Sequence, residues 1–199
     1  MFKIILFLVM IFNYALTYET KIFIANTYIP ENFYKYDKEF KQAAKKYNIP
    51  MVLLKAISLT ENAKYKHDII GKNKNKTKDY GLMQINSIHL QRFGLKEKDI
   101  IKPSVNIDTA ARLLHELIQK YGFNWDAIGR YHSANSKYKN IWLHKVMSNL
   151  MAIILKDSKK LISMEKFRVM KLASLLVNFN EEHYIQLANT EKYIKNKNL

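Results

Sequence analysis

The chain has 199 residues, 48% of them hydrophobic, which is enough for one packed domain with an appendage. Its 33 lysines and arginines against 17 acids give a net charge of +16, a surplus that draws polyanions. The absence of cysteine excludes a disulfide framework and thiol chemistry. The histidines lack a paired spacing such as His-Glu-x-x-His, so neither a metal nor a cofactor is expected. The lysines are scattered and no nucleic-acid-binding motif is visible, so nucleic acid is not an expected partner.

Lys3 precedes an apolar run from Ile4 to Phe12 that continues weakly to Leu16, with Ala15 and Thr17 as small residues placed for cleavage. This pattern predicts a secretory signal peptide over residues 1–17, because the run is short for a membrane span of about 20 residues. An uncleaved N-terminal anchor is the alternative. Without those residues 32 basic and 17 acidic side chains remain, or +15. For an exported protein the polyanions to hand are cell-wall polymers and anionic membrane surfaces.

Residues 18–39 are aromatic and polar without a clear period, and Pro30 argues for an irregular lead-in, either packed on the domain or extended as a tether. Phe40, Ala43, Ala44 and Tyr47 then mark one face of a helix, broken by Asn48-Ile49-Pro50. Pro50 suits the first turn of a second helix, Met51 to Glu61, which is apolar nearly all round and therefore belongs to the core. That helix delivers one carboxylate, Glu61. A glutamate at a helix end usually just reaches water. A carboxyl held against apolar surface instead resists ionising, as a general acid must.

Lys64 to Asp79, with six lysines and two aspartates around Gly71, predicts a solvated loop. The strip Gly81-Leu82-Met83-Gln84-Ile85-Asn86 follows. Gly81 permits a backbone approach that a side chain would block, and Gln84 offers both donor and acceptor to sugar hydroxyls and acetamido groups. Leu82 and Ile85 are expected to face the core, with Met83, Gln84 and Asn86 reaching a cleft. A short helix from Ser87 should stop at Gly94. Pro103 to Tyr121 predicts a scaffold helix with Asn106 as N-cap and Gly122 past its end. Trp125 to Asn135 carries Tyr131, whose usual fate would be a core tyrosine with a satisfied hydroxyl. Tyr138 to Leu150 predicts a further helix with Ile141, Trp142, Val146 and Leu150 inward.

A glutamate after a buried helix, followed about twenty residues on by Gly-Leu-Met-Gln-Ile-Asn, resembles the catalytic core of the lytic transglycosylases. The helix–Asn-Ile-Pro–helix entry, the Pro-x-x-Asn-Ile start at Pro103 and Tyr131-His132-Ser133 resemble the same family. The chain departs from the family pattern in four places: Asn62 for serine, Ala110 for glycine, Arg130 for a small residue, and the pair Ala134-Asn135 for glycine.

The resemblance implies a mainly α, lysozyme-like fold of the goose or SLT type. It places the catalytic domain at residues 40–150. Beyond it no family motif is visible. The pattern of residues 151–199 itself predicts a basic helical C-terminal extension with helices around Leu161 to Val177 and Glu182 to Ile194, either packed on the domain or amphipathic and surface-binding. The resemblance also implies Glu61 as acid and then base, Tyr131 as its orienting partner, and Met83, Gln84 and Asn86 as contacts to peptidoglycan glycan strands. Most glycosidases need two carboxylates, whereas a lone acid suffices when the muramoyl 6-hydroxyl is the nucleophile. The Tyr-His-Ser variant also resembles small periplasmic enzymes serving a type III or type IV secretion apparatus. Two alternatives stay open. One is a hydrolytic lysozyme or chitinase using Asp68 or Asp79 as second carboxylate, and the other is a non-catalytic wall- or lipid-binding protein.

Overall fold

The computed structural model describes residues 28–157, and the expected signal peptide, the first part of the lead-in and the two helices after Lys160 lie outside them. A single 3-10 turn, Glu31–Tyr34, leads into α1, Asp37–Tyr47, which buries Phe40, Ala43 and Ala44. Asn48 closes α1 in the left-handed region at φ 54°, its N–H donating to the Ala44 carbonyl. Pro50 then starts α2, Met51–Glu61.

The whole of α2 from Val52 to Leu59 is buried. Removing an aliphatic side chain of this kind from water stabilises the fold by about 1.5–3 kcal/mol each. Burial extends even to Lys55, whose ammonium lies 4.2 Å from the centroid of Phe33 and 4.5 Å from that of Tyr34 and pairs with Asp37. A cation desolvated against two ring faces and one carboxylate fixes the lead-in onto α2. Tyr34 donates onward to Asp157 at 2.9 Å, and burial followed by that contact pushes its phenol up to about 12.

The lysine-rich stretch is not a plain loop. It forms β1, Ile70–Lys72, and β2, Lys78–Tyr80, paired antiparallel with Gly71 opposite Asp79. β3, Ile85–Asn86, adds on the other edge of β2. Strands of two and three residues are too short to show a period, and Lys72, Lys74 and Lys76 are exposed on the hairpin and its turn.

Helices α3, Ile88–Arg92, and α4, Glu97–Ile100, lead into α5, Pro103–Tyr121. α5 starts three residues before Asn106, with Lys102 at the cap position. Asn106 is therefore no N-cap. It is fully buried inside the helix. α6, Trp125–Gly129, is capped by Asn124, whose side chain accepts from the Ala127 N–H at 2.9 Å. α7, Ser136–Asp157, runs past Leu150 and buries Met151, Ala152 and Ile153, so the boundary expected at 150 falls within a continuous helix. α2 packs along α7, and α1 packs on α5. The described part is thus a mainly helical domain with one small sheet.

Candidate active site

Glu61 is the last residue of α2, and its side chain is 14% exposed. The buried helix carries the carboxylate to a cleft of about 630 Å³ whose wall includes Asp79, Gln84, Asn86, Tyr131 and His132. Trp142, on the second turn of α7, donates from its indole nitrogen to Oε1 of Glu61 at 2.8 Å. The His132 ring stacks on Trp142 at 5.4 Å and 5° between planes, with its Nδ1 3.7 Å from the same carboxylate oxygen. Tyr131 flanks the indole at 6.0 Å.

The strip from Tyr80 to Gln84 is fixed almost atom by atom. Asn106 accepts from the Met83 N–H at 2.8 Å and donates to the Tyr80 carbonyl at 2.8 Å and the Ile100 carbonyl at 3.0 Å. Ser58 donates to the Leu82 carbonyl, and Tyr131 donates to the Met83 carbonyl at 2.8 Å. The Gly81 carbonyl receives Gln84 Nε2 at 2.7 Å and, less closely, Asn62 Nδ2 at 3.4 Å. Buried backbone groups satisfied by side chains from α2, α5 and the segment after α6 cannot drift independently. Gly81 sits at φ 74°, and a Cβ there would lie 2.7 Å from Nδ2 of Asn106. No other residue type fits both demands.

Two expectations need correcting. The Met83 side chain is fully buried and does not line the cleft, because the turn that exposes Gln84 points Met83 into the core. It serves the site through its main chain. Tyr131 does not hold Glu61, since its hydroxyl is directed at the Met83 carbonyl. Burial, and then the charges of Glu61 and Asp79, push its phenol well above the usual tyrosine range, so it remains a donor. The orienting partner of Glu61 is Trp142, which the sequence marked only as an inward residue of a helix.

Gln84, at φ 46°, and Asn86 both line the cleft. Asn86 donates to Asp79 Oδ1 at 2.7 Å, while Asn73 donates to Asp79 Oδ2 at 2.7 Å, so both carboxylate oxygens are held. Asp68 is not among the lining residues. The departures from the family pattern also find local partners. Asn62 donates to the Lys66 carbonyl at 2.6 Å, and Asn135 accepts from the Lys137 N–H at 3.0 Å, capping α7. Arg130 pairs with Asp126 at 2.6 Å.

A family model described as the transglycosylase SLT domain matches residues 38–155, more than half of the chain. Protein IpgF of Shigella flexneri is 39% identical over 49% of this chain and 66% of its own length. Invasion protein IagB of Salmonella typhi is 39% identical over 48% of this chain and 61% of its own. A peptidoglycan-binding-like protein of Escherichia coli O157:H7 is 36% identical over 47% and 62%. The match thus spans less than two thirds of each of these relatives.

Proposed function

Because the chain belongs to the transglycosylase SLT domain family, we propose that it is a peptidoglycan lytic transglycosylase with Glu61 as its catalytic residue. The observation that carries this reading is a shielded carboxylate at the end of a buried helix, held through one oxygen by Trp142 and open to a cleft of about 630 Å³. Glu61 as carboxylic acid protonates the oxygen linking N-acetylmuramic acid to N-acetylglucosamine, and the C1–oxygen bond breaks. As carboxylate it then takes the proton of the muramoyl 6-hydroxyl, whose oxygen closes onto C1. The product is a 1,6-anhydro end and no water is consumed. Gln84 and Asn86 contact the strand, and Tyr131 and Met83 shape its floor through the main-chain strip. Digestion of purified peptidoglycan by the parent and by Glu61→Gln tests the assignment, since turnover should vanish in the variant while glycan binding persists.

One observation favours a second reading. Asp79 lines the same cleft with both oxygens fixed, a geometry compatible with stabilising a cationic sugar or directing water. On that reading the reaction is hydrolysis by a lysozyme-type pair, Glu61 and Asp79, and each cleavage consumes one water.

The resemblance to small secretion-associated enzymes and the similarity to an invasion protein support a role in local wall opening for a type III or type IV apparatus. Export to the periplasm rests on the pattern of residues 1–17. Among the described residues no helix is long and apolar enough to cross a membrane.

A further inference from the structure

A cleft that takes a wall glycan meets acidic groups, since alternate sugars bear a lactyl or peptide carboxylate. Arg92 from α3, Lys120 from the end of α5 and Arg130 just after α6 all line the cleft. The Arg130 guanidinium lies 4.3 Å from the centroid of the Tyr121 ring, and the Lys120 ammonium lies 5.1 Å from the same centroid. One ring thus gathers two cations.

Their anionic partners are too few. Asp126, which binds Arg130, is shared with Lys139, and Glu116, which binds Arg92, is shared with Arg112. Lys120 forms no ion pair among the described residues. Around Tyr121 and Asp126, three cations, Lys120, Arg130 and Lys139, therefore meet one carboxylate. Like charges held this close repel one another until a further anion joins them. Arg130 engages Asp126 through Nε and also bonds the Tyr121 side chain, two contacts that hold its five-donor fork in one orientation with donors to spare.

We propose that Lys120 and Arg130, gathered over Tyr121, form a carboxylate subsite that reads the acidic groups of the wall glycan and separates it from neutral N-acetylglucosamine polymers. The inference rests on the glycan-cleaving reading above and adds a basis for choosing among glycans.

The test is equilibrium binding in a Glu61→Gln background, which prevents turnover. The probes are a muramoyl tetrasaccharide with free carboxylates, the same compound with its carboxylates amidated, and an N-acetylglucosamine tetramer. The acidic probe should bind about tenfold more tightly than its amide, the size of one charge-assisted contact. In Lys120→Gln/Arg130→Gln that ratio should collapse to near unity. In the charge-retaining Lys120→Arg/Arg130→Lys it should largely survive, which separates loss of charge from loss of fold. Equal binding of acid and amide by the parent, or an undiminished ratio in the Gln variant, would overturn the subsite alone. Failure of all three probes to bind would overturn the glycan reading together with it.

Discussion

The indole nitrogen of Trp142 and Oε1 of Glu61 are 2.8 Å apart, although 81 residues separate them in sequence. The hydrogen bond ties the end of α2 to the beginning of α7, the two helices that pack along each other through the core. The position of the acid is thereby set by the packing of the domain as well as by its own helix.

Trp142→Phe removes the donor while keeping an aromatic ring beneath His132. A hydrogen bond to an ionisable acceptor contributes about 1.5–3 kcal/mol. If that interaction serves the reacting geometry, kcat should fall roughly ten- to a hundredfold, with KM close to the parent's. Tyr131→Phe, which releases the Met83 carbonyl instead, should act mainly on KM. Steady-state kinetics on a soluble glycan fragment separates the two patterns, and equal kcat losses would contradict the division of roles.

Asn106 is the hub of the strip from Tyr80 to Gln84, and its replacement by leucine leaves the Met83 N–H and the Tyr80 and Ile100 carbonyls without their partner. Each buried polar group so orphaned costs about 1–3 kcal/mol. Asn106→Leu should therefore lose roughly 3 kcal/mol or more of stability in urea unfolding. A loss below about 1 kcal/mol would mean that the strip is held by other means.

Gly81→Ala meets two obstacles, a backbone at φ 74° and a contact with the Asn106 amide. The left-handed backbone alone costs about 1–2 kcal/mol, and the displaced amide adds to it. The variant should unfold at lower urea concentration than the parent and bind glycan more weakly.

Much of this is legible in the sequence. The buried character of α2 and the position of Glu61 at its end follow from composition and spacing, and the strip from Gly81 to Asn86 is marked by its resemblance to the family pattern. The partner of Glu61 does not, because inward residues of α7 look alike in sequence whether they meet a leucine or a carboxylate. Asn106 misled for a related reason. Asparagine near a helix start reads as a cap, and only the fold reveals that three buried backbone groups converge on its amide. The hairpin escaped notice because strands of three residues carry too few positions to display alternation.

The ion pairs of Asp126 make a pH prediction. The Lys139 contact, and then Arg130, hold its carboxyl below the ordinary value of 3.8. A carboxyl depressed in the folded state adds stability that is fully present above its unfolded value and is lost as pH falls through its folded one. Asp126 is partly exposed, so solvent screens the contribution. The difference in urea midpoint between the parent and Asp126→Asn should be present at about pH 7 and shrink below about pH 3.8. A difference that grows on acidification would refute this sign.

The mass of the muropeptides released from purified peptidoglycan tests the central claim most directly. Ends closed by the muramoyl 6-hydroxyl weigh one water less than those of a lysozyme digest, and the account predicts these as the main product, absent with Glu61→Gln. Fully hydrated ends from the parent would contradict it and pass the reaction to Glu61 and Asp79 as a hydrolytic pair.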